Sequence, residues 1–313
     1  MSTFGTRIPP QDSIARLRGT PVTSNGNEKK SAEPIEAAPL IESFQPRDPM
    51  FKLKDIILPE RAKRDLEVLK SRIRNHSLLY DDWGVRAIDP CGVALAVNFY
   101  GQPGTGKTMC AEALAADLGK KIIEVNYAEI ESKFVGETPK NIRAAFLKAQ
   151  ETDSILFFDE ADSILGRRMT NVTQAADHGV NVSRAVMLKQ LDAFHGIVIF
   201  ATNLAKNFDG AFVRRILQHI EIPLPDLDGR GKIWRHMISP AVPGRDALDW
   251  EQLAVSSDGL SGGEIKNAVI ICLSEVANRT GAERVVALAD VLRAVEDVRR
   301  AKKDIGRYDY HRE

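Results

Sequence analysis

Residues 101 to 108 read Gly-Gln-Pro-Gly-Thr-Gly-Lys-Thr, set between the apolar run Ala94 to Tyr100 and the helix-like text Met109 to Leu118. This context constrains the fold more than any other stretch of the chain. A strand has to deliver such a loop to the end of a sheet, and glycines have to let backbone N–H groups close around anionic oxygens. The following helix then points its positive end at them. A sheet with helices between its strands meets these demands, so the expected class is α/β. Lys107 is then a point charge for the β and γ phosphates of a nucleotide, and the Thr108 hydroxyl a ligand for Mg²⁺. Gly101, Pro103, Gly104, Thr105, Gly106 and Met109 complete the expected cradle.

Two further apolar runs end in polar side chains, as central parallel strands do at a site. Ser154 to Phe158 runs into Asp159 and Glu160. Asp159 is expected to hold the metal through water, and Glu160 to orient or deprotonate an attacking water. Adjacent acids after a strand are often only the solvated start of a helix; the phosphate loop argues against that here. Ile197 to Thr202 ends at Asn203, whose amide N–H suits a γ-phosphate sensor. Arg214 and Arg215 precede Ile220-Glu221-Ile222-Pro223-Leu224-Pro225-Asp226, and guanidinium groups stabilise charge on a transferring phosphoryl group.

Taken in this order, these motifs resemble those of AAA+ ATPases over roughly residues 50 to 300. The resemblance implies a P-loop fold with a parallel sheet flanked by helices and a small C-terminal helical lid. It also implies ATP with Mg²⁺, and a ring, usually a hexamer, in which arginines act on the neighbouring subunit's nucleotide. Lys107, Glu160, Asn203, Arg214 and Arg215 form the implied catalytic set, and either arginine could dominate. The spacing around the pair resembles the katanin and spastin branch. Asp55 and Ile56 match the segment that lies against adenine. Gly259 to Ile265 matches the start of a lid helix, where Ser261 caps and Gly262 approaches the adenine side. Lys133, Phe134, Val135 and Gly136 match an aromatic pore loop that grips an extended client, and Asn171 to Val180 falls where a second pore loop occurs. No Asn-Lys-x-Asp guanine-reading text is present, which favours ATP over GTP.

Forty-three basic and forty-three acidic residues give zero formal charge, with no basic run interleaved by aromatics, so nucleic acid is not the expected partner. Cys91, Cys110 and Cys272 are widely spaced, as suits reduced thiols in a cytosol. Met1 to Ser13 lacks the apolar core of a signal peptide, and no stretch approaches a membrane span, so a cytoplasmic protein is expected. The expected organisation is a Pro-rich disordered arm at 1–47, a large α/β ATPase domain at 48–225, a helical lid at 226–305 and a tail at 306–313.

The functional expectation is an ATP-hydrolysing ring that remodels or unfolds a protein client through a central pore. Asp209 to Arg215 resembles the pachytene-checkpoint type, which implies a HORMA-domain client and, for a bacterial member, regulation of a cyclic-nucleotide antiphage system. The alternatives are a clamp-loader or replication-type switch acting on DNA, and an activase or disassembly factor for another protein complex.

Overall fold

The computed structural model of the chain describes residues 43–88, 94–127, 130, 137–166, 175–203 and 208–309. Its elements in chain order are α1 (Glu60–Arg74), β1 (Leu95–Tyr100), α2 (Lys107–Asp117), β2 (Ile122–Asn126) and α3 (Thr138–Glu151). There follow β3 (Ile155–Asp159), α4 (Asp162–Leu165), α5 (Ala175–Ala193), β4 (Ile197–Thr202), α6 (Gly210–Val213) and β5 (Gln218–Glu221). The chain then turns all-helical with α7 (Leu227–Met237), α8 (Trp250–Ser256), α9 (Gly262–Ala277) and α10 (Leu288–Asp309).

The five strands form one sheet in the order β2-β3-β4-β1-β5, and every pairing is parallel. Parallel strands are covered on both faces, which is why β4 reads Ile-Val-Ile-Phe-Ala-Thr without a solvent-facing position. The period of two sorts these side chains between two cores. Ala96, Phe158 and Phe200 pack with Phe146 of α3 and Leu191 of α5. Val97, Phe157 and Ile199 pack on the other side with Leu66 of α1 and Leu114 of α2. Phe158 stacks on Phe200 with ring centroids 5.5 Å apart, and truncating either to Ala would cost about 3–5 kcal/mol.

This strand order decides where a ligand can sit. β1 and β3 flank β4, so three polar strand ends emerge side by side at the carboxyl edge of the sheet, beside the start of α2. The C-terminal helices hold a third core of Trp234, Leu253, Ile265, Val269, Cys272 and Val291. In α9 the buried positions Ile265, Ala268, Val269, Cys272 and Val276 mark one stripe of the helix, and Ser261 and Glu264 close a capping box at its start.

Three boundaries differ from the sequence reading. Arg47, assigned there to a disordered arm, pairs with β2 through backbone bonds Arg47 N to Ile122 O (3.0 Å) and Ile122 N to Arg47 O (2.9 Å). Residues 1–42 of that arm lie outside the described residues. The stretch read as a second pore loop through Val180 is helical from Ala175, because α5 extends in that direction. The last helix reaches Asp309, beyond the boundary set at 305. Among the described residues, no helix is long and apolar enough to cross a membrane.

Candidate active site

The loop after β1 has its glycines where only glycine fits. Gly101 has φ 155°, and a Cβ there would collide with the carbonyl oxygen of Ile222 in the segment after β5. Gly104 has φ 74°, and a Cβ there would stand 2.7 Å from the Ser261 Oγ. The Thr105 hydroxyl ties the loop to itself by donating to the Gln102 carbonyl at 2.9 Å. Gly106 caps α2 without a side chain, leaving the first N–H groups of that helix turned toward the loop. Pro103 is exposed at the loop tip, and Met109 is half-buried in the first turn of α2.

Lys107 is only 8% exposed, yet it has no carboxylate within hydrogen-bonding distance among its bonds. Its Nζ donates to the carbonyls of Gly101 (2.9 Å) and Gln102 (3.0 Å) and to the Asn203 amide oxygen (2.8 Å). Burial pulls its pKa below the ordinary lysine value, and the nearby charges of Asp159 and Asp162 oppose that shift. A buried cation held by neutral acceptors is suited to receive an anion.

Beside it, the Thr108 hydroxyl donates to Asp159 Oδ2 at 3.0 Å, joining the first turn of α2 to the end of β3. A hydroxyl and a carboxylate this close are hard oxygen donors that suit Mg²⁺ with water filling its other positions. Glu160 follows, exposed and with φ 52°, in the left-handed region that costs a non-glycine residue of order 1–2 kcal/mol. Its N–H donates to Asp159 Oδ1 at 2.9 Å, and Ala161 N donates to Ala201 O at 3.0 Å, so the turn is held between β3 and β4. The Asn203 backbone N–H donates to Asp162 Oδ1 at 3.0 Å.

The structure thus brings Lys107, Thr108, Asp159 and Asn203 together, with Glu160 at the open side. The arginines are anchored elsewhere. Arg215 grips Asp192 of α5 in a two-pronged ion pair, Nε to Oδ1 at 2.6 Å and Nη2 to Oδ2 at 2.8 Å, and its Nη1 donates to Ala211 O. Arg214 is exposed, its Nε bonded to Gly210 O at 3.3 Å.

The C-terminal helices touch the phosphate loop directly, since Gly263 N donates to Gly104 O at 2.9 Å. A Cβ at Gly262 would lie 3.7 Å from Gly104 O and 3.9 Å from Ile233 Cδ1, so this glycine does reach the loop. Asp55 accepts from the Lys52 N–H at 2.9 Å and closes a short turn, while Ile56 lines a cavity of about 210 Å³ with Asp226, Gly229 and Lys232. Lys133, Phe134, Val135 and Gly136 lie outside the described residues.

Sequence reasoning passed over Asp162 and Asp192. Asp162 carries one weak signal, a third acid close behind Asp159 and Glu160. Asp192 carries another, an acid in the last turn of a helix otherwise rich in buried apolar residues.

The family described as ATPase family associated with various cellular activities (AAA) matches residues 97–224. The 26S proteasome subunit RPT4 of Saccharomyces cerevisiae is 32% identical over 265 residues, which is 82% of this chain and 57% of that protein. A proteasome-activating nucleotidase of Saccharolobus islandicus is 31% identical over 273 residues, 81% of this chain and 67% of its own length. The katanin p60 ATPase-containing subunit A1 of Strongylocentrotus purpuratus is 36% identical over 183 residues, 55% of this chain and 35% of its own length. The chain therefore spans little more than half the length of the yeast relative.

Proposed function

Since the chain belongs to the AAA ATPase family, we propose that it hydrolyses ATP with Mg²⁺ in a hexameric ring and uses that energy to remodel or unfold a protein client. The observation that carries the reading is the meeting of Lys107, Asn203, Thr108 and Asp159 at the carboxyl ends of β1, β3 and β4. When bound at Thr108 and Asp159, Mg²⁺ supplies positive charge against the phosphate oxygens.

On this reading Lys107 exchanges its carbonyl partners for β and γ phosphate oxygens, and the first N–H groups of α2 close on the same anion. Glu160 takes the proton of the attacking water from the open side. Asn203, no longer occupied by Lys107, turns its amide to the γ phosphate. Arg214 or Arg215 serves the neighbouring subunit's nucleotide, with Asp192 holding Arg215 in a defined orientation. The hydrogen bond from Gly263 to Gly104 couples the loop's contents to α9, so loss of phosphate shifts the C-terminal helices.

Relatives named as a proteasome subunit and a proteasome-activating nucleotidase support a protein client rather than a nucleic acid. We assign the grip on that client to Lys133, Phe134, Val135 and Gly136. A HORMA-domain protein of an antiphage system is the specific client to test first, on the resemblance of Asp209 to Arg215. Phosphate release from ATP and Mg²⁺ by the full chain, with Lys107→Ala as the blank, tests the reading. Turnover abolished in the variant supports it; no turnover at protein concentrations high enough for assembly ends it.

A further inference from the structure

The helix that follows the phosphate loop carries a buried carboxylate that plays no part in the site described above. In α2 the positions Cys110, Ala111, Ala113, Leu114 and Ala115 are buried and apolar, and Glu112 among them is 1% exposed. A charge at that depth persists only if it is paired and hydrogen-bonded. Both of its oxygens are taken by the segment ahead of α1. Arg47 Nη2 donates to Oε1 at 2.6 Å, and the Met50 backbone N–H donates to Oε2 at 2.7 Å.

The same Arg47 Nη2 donates to Glu124 Oε2 at 2.5 Å, and the Arg47 backbone makes the two bonds to Ile122 on the outer edge of β2. One arginine therefore ties an edge strand, an N-terminal strap and the phosphate-loop helix to each other. The guanidinium pKa is raised, chiefly by the bond to Glu112, with burial acting against it.

Apolar packing of α2 against the sheet is non-directional, whereas hydrogen bonds are directional and fix the position of the helix along its axis more sharply. Glu112 lies one helical turn beyond Thr108 and on the same face. A clamp on Glu112 thus sets the height of Thr108 against Asp159, and of the loop N–H groups against whatever they hold. We propose that Arg47 and Glu112 are positioning residues that seat the phosphate loop, so that the strap from Arg47 to Met50 is part of the nucleotide-binding apparatus. This inference rests on the nucleotide-binding reading given above.

The test uses the full chain and a fluorescent ATP analogue with Mg²⁺, titrated at a temperature well below the melting points of all variants. Arg47→Ala and Glu112→Gln are expected to weaken nucleotide binding about tenfold, to raise the KM for ATP correspondingly and to change kcat little. Glu112→Gln keeps the side chain's shape and one of its two acceptors, and circular dichroism and thermal melts of each variant fix the temperature at which all of them are folded. Arg47→Lys should recover part of the loss. Glu124→Gln removes a bond of the same guanidinium without touching α2, and should leave affinity within about twofold of the parent.

Unchanged affinity in both Arg47→Ala and Glu112→Gln overturns the inference, because the strap would then act on stability alone, and so does an equal loss in Glu124→Gln, because the effect would then not pass through Glu112. Lys107→Ala serves as the control that separates the two readings. A parent chain that binds nucleotide through Lys107 while the strap variants bind equally well refutes only the seating role. A parent chain that binds none refutes both.

Discussion

The Lys107 ammonium and the Asn203 amide oxygen stand 2.8 Å apart although 96 positions separate them in the chain. The bond crosses from the first turn of α2 to the end of β4, and joins the residue expected to hold a nucleotide's phosphates to the one expected to sense them. It exists only because β1 lies beside β4 in the sheet, with Tyr100 opposite Thr202.

Lys107 is a stability cost in the absence of an anion. Its folded pKa lies below that of a free lysine at 10.5, so between the two values the unfolded chain binds more protons and stability rises with pH. Below the folded pKa the cost of the buried charge is fully present. Nucleotide-free Lys107→Met is therefore expected to melt at or above the parent's temperature. Only the parent should be stabilised by ATP and Mg²⁺, by about 2.7 kcal/mol at a hundredfold excess over Kd. Thermal melts with and without nucleotide check this; a variant melting well below the parent contradicts it.

Glu160 combines an exposed carboxylate with a left-handed backbone. Glu160→Gln should retain ATP while losing at least about 10²-fold in turnover. Glu160→Gly should be equally inactive but more stable, by roughly 1 kcal/mol, because the strain at φ 52° disappears. Retained nucleotide, phosphate release and denaturant midpoints separate the two variants, and equal midpoints would show that the strain is absent in solution.

Arg215 is expected to matter for hydrolysis far more than for folding. Its pair with Asp192 is partly exposed, so Arg215→Ala should cost no more than about 1 kcal/mol of stability. Nucleotide affinity should persist while hydrolysis fails. Mixing Arg215→Ala with Lys107→Ala subunits should restore part of the turnover, because each supplies what the other lacks across an interface. Absence of rescue at any mixing ratio would place the arginine's action within its own subunit.

Asp290 ties the C-terminal helices to pH. Arg279 donates to both of its oxygens, at 2.9 and 2.5 Å, and Ala287 N donates at 3.0 Å. The Arg279 guanidinium holds the carboxyl below its ordinary value of 3.8, with burial opposing. A depressed folded pKa contributes stability that is present above 3.8 and lost as pH falls through the folded value. Asp290→Asn should cost about 1–3 kcal/mol at neutral pH, since Arg279 is partly exposed, and flatten the acid limb of the stability curve. Urea midpoints measured from neutral pH down to about pH 3 check the slope, and an unchanged acid limb refutes the assignment.

Much of the site was legible because its parts are local. The loop from Gly101 to Thr108 declares its geometry through glycines at φ 155°, 74° and 100°, and Ser261 declares a helix start through Glu264 three residues later. The apolar runs behind Asp159 and Asn203 read as buried parallel strands because both faces are covered. Less was legible at the margins. Arg47 sits among prolines and polar residues that read as an unstructured arm, and nothing nearby shows that its partners are Glu112 and Glu124. The start of α5 at Ala175 was missed because Thr, Asn, Gln, Asp and His around it favour a loop by propensity, which is only a weak prior.

The amino-acid sequence by itself determined the pieces: a strand that ends in a phosphate loop, a strand that ends in paired acids, a strand that ends in Asn203, and a capped helix at Ser261. Those follow from glycine geometry, apolar periodicity and capping, which act within a few residues. Tertiary structure alone decided which pieces meet: the order β2-β3-β4-β1-β5, Lys107 against Asn203, Arg215 on Asp192, and Arg47 on Glu112. The physical reason is that buried charges and strand edges are satisfied by whatever the packed sheet brings alongside, and no local rule names a partner from another part of the chain.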